Sequence, residues 1–167
     1  NSDYEYFTKV GREELKQFRD IVDLALADSE YNREELNEVG FKITGVLPII
    51  IDFEKYDKIA DDKLLRRYDD DYVNILFVGR VSPNKKFEDI IKSFYYYQLI
   101  NSKSRLFLVG SGEGMDRYRN YLDNLVKELK VKNVYFTGHV SFEELAAYFK
   151  LANIFLVMSE HEGFCVP

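Results

Sequence analysis

The chain has 167 residues, enough for one ordinary domain with a core and too few for two complete α/β domains. With 46% hydrophobic and 31% charged residues, 9 Gly and 3 Pro, its composition excludes a disordered or collagenous chain. Its net charge of −6 disfavours nucleic acid and anionic lipid as general partners, so any anionic ligand needs a local basic site.

The N-terminal segment NSDYEYFTKVGREELKQF lacks a basic region leading into an apolar stretch, which excludes a secretory signal there. Without an initial Met, residue 1 is expected to lie inside a longer protein. Over the first 72 residues, Leu15, Phe18 and Val22 predict a helix and DLALADS a short strand. Asn32 to Val39 reads as a second helix stopped by Gly40, and KITGVLPIII as a further strand. Residues 52–71 are densely charged and end in DDDY, the pattern of a solvated connector that leaves room for a short helix.

From residue 74 one pattern recurs: a short apolar run ending in Gly or Ser, then a segment of helical periodicity. The runs are NILFVG, RLFLVG, NVYFTG and IFLVMS, without polar alternation, as in strands of a parallel sheet covered on both faces. Between them, Ile90, Ile91, Phe94 and Tyr95 form one helical stripe, and Tyr118, Leu122, Leu125, Val126 and Leu129 a second. The third helix opens on Ser141 with Glu144 three residues on, a capping box, before Leu145, Tyr148 and Phe149. Gly79, Gly110 and Gly138 recur at about thirty residues, the length of a βα unit. The expected fold class is therefore α/β, a doubly wound parallel sheet.

In such a sheet ligands bind beyond the carboxyl ends of the strands, where the winding reverses. That rule selects GRVSPNKK, GSGEG, GHVS and SEHEGFCVP. With strand order 3-2-1-4, the first and last of these segments face each other. Arg80, Lys85 and Lys86 concentrate positive charge in an otherwise acidic chain, and suit either a diphosphate or a solvated turn. Glu160, His161 and Glu162 ahead of Gly163 suit either a ligand loop, with Glu on sugar hydroxyls, or a surface turn.

Other chemistries find less support. GSGEG follows a strand, but Gly114 falls one position early for G-x-G-x-x-G, so a nicotinamide-dependent oxidoreductase is a minor alternative. His139, His161 and Cys165 lack paired metal-ligand spacing, and Asp69, Asp70 and Asp71 precede a strand, which marks them as linker. No G-x-S-x-G elbow is present, and the 13 Tyr and 13 Phe fall mostly on core stripes and strands, without the basic groove that nucleic acid needs. Cys165, the single cysteine, forms no intrachain disulfide, and no apolar run reaches the roughly 20 residues of a membrane span, so a cytoplasmic setting is expected.

Taken in order, ALADSEYNREEL, VLPIIID, ILFVGRVSPNKKFEDIIKSF, LFLVGSGEG, VYFTGHVSFEELAAYFKLANIFLVMS and EHEGFCVP resemble the group 1 retaining glycosyltransferases (family four) of the GT-B fold. The resemblance implies two Rossmann-like domains. It assigns residues 1–46 to the tail of the acceptor domain, 47–71 to the interdomain connector and 72–167 to the first part of the nucleotide-sugar domain. It further implies that Arg80 and Lys85, the latter in the Lys of a G-R-x-x-x-x-K pattern, bind the donor diphosphate. Lys86 stands where Gly is usual. Glu162 matches the first Glu of an E-x7-E motif that contacts the donor sugar, whose second Glu would fall at the third position after Pro167. Gly163, Phe164 and Cys165 would offer backbone N–H groups to phosphate, with Cys165 in place of a common Gly. His139 and Val140 would meet the base through backbone atoms, and Gly79 and Gly110 would shape the floor.

The implied activity is transfer of a sugar from a UDP-, GDP- or ADP-sugar to an acceptor hydroxyl, with retention and without metal or cofactor, in polysaccharide or glycoconjugate synthesis. The implied partners are the nucleotide sugar and a sugar or lipid-linked acceptor, with peripheral membrane contact left open and no nucleic acid. The alternative is a nucleotide-binding module or truncated product without activity of its own.

Overall fold

The computed structural model describes residues 2–52, 54 and 60–160. The chain divides into two compact units, Asn1–Ile51 and Asp52–Pro167.

In the first unit, helix α1 (Ser2–Lys16) precedes strand β1 (Ala25–Ala27), helix α2 (Glu30–Val39) and strand β2 (Thr44–Val46). The two strands are parallel and α2 is their crossover, so this is one βαβ unit. Ser29 caps α2 by accepting from the Asn32 N–H, and Gly40 ends it in the left-handed conformation.

Two expectations are corrected here. The first helix stops at Lys16 instead of running through Phe18 and Val22. Beyond it the backbone makes tighter bonds, Gln17 N to Glu14 O and Phe18 N to Leu15 O, and Phe18 and Val22 stay exposed, so no core sustains a longer helix. The strand expected over KITGVLPIII is only Thr44–Val46. Leu47 N donates the last ladder bond, to Ala27 O, and Pro48 has no N–H with which to continue.

The second unit opens with helix α3 (Asp62–Arg67), started by the Asp61 carboxylate, which accepts from the Leu64 N–H at 2.7 Å. It continues through β3 (Val73–Val78), α4 (Phe87–Ile100), β4 (Ser104–Val109), α5 (Asp116–Leu129), β5 (Val134–Gly138), α6 (Phe142–Leu151) and β6 (Ile154–Phe155). The four strands are all parallel, in the order β5-β4-β3-β6, the 3-2-1-4 arrangement under which the first and last strand-end segments face each other. Successive side chains of β3 and β4 point to opposite faces and build two cores. Ile75, Phe77, Leu106 and Leu108 pack under α4 and α5 with Ile90, Ile91, Phe94 and Leu122, while Leu76, Phe107 and Val109 pack under α6 with Tyr148 and Leu145. The Ser141–Glu144 capping box starts α6 as expected.

Strands β5 and β6 are the edges of the sheet, so NVYFTG and IFLVMS are not buried on both faces as β3 and β4 are. Regular pairing of β6 is confined to Ile154 and Phe155, which are 41% and 39% exposed, and Leu156 N adds one bond to Leu76 O.

The short helix for which residues 52–71 left room is α3, but over residues 60–71 the segment is more than solvated chain. Leu64 and Tyr68 pack on the α6 side of the sheet, and the Asp61 N–H donates to Glu143 O. In DDDY, Asp70 takes a bond from Arg105 at 2.5 Å and Asp71 pairs with Lys103. The Arg105 side chain is 6% exposed, with its guanidinium against the rings of Tyr68 and Tyr72, 4.8 and 4.4 Å from their centroids. An aromatic sandwich and one carboxylate thus compensate a cation taken out of water. The same bond holds the Asp70 carboxyl below its ordinary range.

Candidate functional site

The winding reverses between β3 and β6, and the segments after these two strands meet. The ladder continues past β3 through Gly79 N to Val109 O and Val81 N to Ser111 O, both 2.9 Å, which fixes the course of the chain at Arg80. A single helical turn at Pro83–Lys85 follows, closed by Lys85 N to Ser82 O and Lys86 N to Pro83 O. Phe87, fully buried edge-on against Phe77, anchors the start of α4 directly behind the two lysines. Its N–H donates to the Tyr118 hydroxyl at 3.2 Å, and that hydroxyl donates to Glu88. Burial, reinforced by the Glu88 carboxylate, pushes the Tyr118 phenol above its ordinary range.

On the other side of the crevice, the Glu160 N–H donates to Asn84 O at 2.9 Å, and the Glu160 carboxylate lies 2.8 Å from Lys86 Nζ. The carboxylate holds the Lys86 ammonium above its ordinary range, chiefly through this bond. Lys86 is one of the few non-glycine residues with left-handed backbone, at φ +50° and ψ +49°, a conformation a glycine adopts without strain. The position thus carries a glycine-like backbone and a side chain committed to Glu160.

Arg80 is exposed and Lys85 half-buried at this mouth. Behind them the strand-end glycines come together. Gly110 N donates to Gly138 O at 3.0 Å, and a Cβ on Gly110 would fall 2.0 Å from Gly79 O, so the close approach of β3 and β4 requires a residue without a side chain. Gly110 therefore has its N–H and its open face occupied by neighbouring strands. His139 is exposed, whereas the half-buried Val140 packs its side chain into the α6-side core. Glu162, Gly163, Phe164 and Cys165, with His161, lie outside the described residues.

The structure thus brings the Arg80–Lys86 segment to Glu160, as the strand order required. It adds two residues whose parts the sequence reading left open, Lys86 and Glu160, and a third, Tyr118, which read only as core. The signal for Lys86 was its place where Gly is usual; nothing local marked the Tyr118 hydroxyl. Among the described residues no helix is long and apolar enough to cross a membrane, and no three His, Cys, Asp or Glu side chains gather as metal ligands.

Residues 58–167 match the family described as glycosyl transferases group 1. The chain is 32% identical over 125 residues to an uncharacterized glycosyltransferase of Methanocaldococcus jannaschii, covering 70% of this chain and 30% of that protein. It is 27% identical over 157 residues to the alpha-monoglucosyldiacylglycerol synthase of Streptococcus pneumoniae, covering 89% of this chain and 35% of the synthase. In structure it is similar to the Anabaena protein HepE, solved in complex with UDP-glucose, with a TM-score of 0.78 at 15% identity over 95% of this chain and 44% of that one. The chain thus spans about a third of the length of these two curated relatives. With the family match extending across the four-stranded sheet and its strand-end loops, the chain belongs to the group 1 glycosyl transferases and has the α/β fold of GT-B enzymes.

Proposed function

We propose that the intact protein transfers a sugar from a nucleoside-diphosphate donor to an acceptor hydroxyl with retention at the anomeric carbon. In this reading residues 72–167 form the first part of the donor domain, 47–71 the interdomain connector and 1–46 the tail of an acceptor domain. The observation that carries it is the basic mouth at the switch point, where Arg80 and Lys85 stand at the end of β3 beside the segment leading to Glu162.

The bond from the sugar to the diphosphate breaks as negative charge grows on the departing phosphate oxygens. Arg80 and Lys85 are fixed cations that stabilise this charge more in the transition state than in the bound donor. Charge on the diphosphate is met by side chains, so the reading calls for no metal ion or cofactor. Glu162 would hold the sugar, Gly163, Phe164 and Cys165 the phosphates through backbone N–H groups, and the Gly138–Val140 bend the base. HepE was solved with UDP-glucose, which supports a nucleotide sugar as donor. The name of the streptococcal synthase supports a lipid-linked hydroxyl as one acceptor class.

In the intact protein, Arg80→Ala and Lys85→Ala should each lower turnover by about 100-fold or more. Stability should change by no more than about 1 kcal/mol. Unchanged turnover in both variants refutes the assignment. A second reading, nucleotide binding without transfer by these 167 residues alone, is favoured by the open edge at Ile154 and Phe155, since a reaction that must exclude water needs more protein around it. Turnover by the isolated chain would eliminate it.

A further inference from the structure

The Lys86 side chain is engaged by Glu160 across the crevice. What the pair joins is informative. Lys86 ends the turn that carries Lys85 and begins α4, and Glu160 follows β6 and precedes Glu162 by two residues. Residue 160 is held twice, by its N–H on Asn84 O and by its carboxylate on Lys86 Nζ. The turn it is held to is rigid from behind, through buried Phe87 and the Tyr118 bond to the Phe87 N–H. An unbranched Lys in a left-handed backbone carries strain that a glycine would not, and the ion pair is what that side chain gains over a glycine.

We propose that Lys86 and Glu160 are a pair of positioning residues, a latch that sets the segment after β6 against the diphosphate turn after β3. This inference rests on the donor-site reading above and adds the device that aligns its two halves. Lys86 acts through Glu160, not on the diphosphate.

The test uses the intact protein and the variants Lys86→Met, Glu160→Gln, their combination, and the exchanged pair Lys86→Glu with Glu160→Lys. Hydrogen exchange at the Glu160 amide, without ligand, should quicken in either single variant and recover in the exchanged pair. Calorimetry with UDP, GDP and ADP should show the better-bound nucleotide weakened by about two- to five-fold in each single variant, the range of one exposed ion pair. The double variant should be no worse than either single one, and the exchanged pair should recover affinity. Donor KM should rise in the single variants with acceptor KM unchanged.

Additive losses, or weaker binding in Lys86→Met with tighter binding in Glu160→Gln, would overturn the latch and assign Lys86 to the diphosphate itself. Unchanged exchange at Glu160 would overturn it as well. A wild-type protein that binds none of the three nucleotides overturns the donor-site reading instead, a failure recognisable because the exchange response would persist.

Discussion

Substituting Gly110 by Ala tests whether the floor of the candidate site is built by strand-to-strand contact. The added Cβ would lie 2.0 Å from Gly79 O and 2.7 Å from Gly79 C, where a carbon and an oxygen need about 3.3 Å. Both obstructing atoms are backbone, so the ends of β3 and β4 must part by about 1 Å. That weakens Gly79 N to Val109 O and Val81 N to Ser111 O, each worth about 1 kcal/mol net. The φ of +147° adds strain of about 1–3 kcal/mol for a residue with a side chain. The sum is about 3–5 kcal/mol, a fall in Tm of about 10–20 °C. Gly112→Ala, two residues on, is the control, because its Cβ would meet only the Val81 side chain, no closer than 3.5 Å, an ordinary contact, and should cost no more than about 0.5 kcal/mol. Denaturant and thermal unfolding of both variants decide the matter. Equal losses, or a Gly110→Ala loss below about 1 kcal/mol, would refute the packing argument.

Asp70→Asn should lower stability at pH 7 by removing the carboxylate from Arg105. Because the folded-state pKa of Asp70 is lowered, its contribution is present above the unfolded value of about 3.9 and is lost as pH falls through the folded value, so the urea stabilities of wild type and variant should converge on acidification below that range. Phe94→Ala, at a fully buried position under α4, should cost about 3–5 kcal/mol in denaturant unfolding. Ser141→Ala should cost about 1 kcal/mol, and adding Glu144→Ala should cost less than its separate effect, since the two side chains share one cap.

The sheet was legible because its signals are local and agree with one another. Apolar runs ending in Gly79, Gly110 and Gly138 specify strands, and the stripes from Ile90 to Phe94 and from Tyr118 to Leu129 repeat at helical spacing. Right-handed crossovers imply a doubly wound sheet, whereas the order that brings the Arg80 and Glu160 segments together comes from the pairing of β6 with β3, which no local pattern announces. What escaped depends on distant partners. DDDY looks like a linker until Lys103, just before β4, and Arg105, on it, arrive beside it. An apolar string such as KITGVLPIII reads as a strand although Pro48 ends its ladder. The Lys86 backbone is left-handed because a turn and a helix meet there, and its side chain found a partner across the crevice that no periodicity announces.

On the reading proposed above, the mouth at the ends of β3 and β6 binds a nucleoside diphosphate. Calorimetry of the intact protein with UDP, GDP, ADP and NAD, repeated with Arg80→Ala, tests it most directly. One of the three diphosphates should bind, Arg80→Ala should weaken it, and NAD should not compete. Binding of NAD alone, or diphosphate binding indifferent to Arg80, would contradict it.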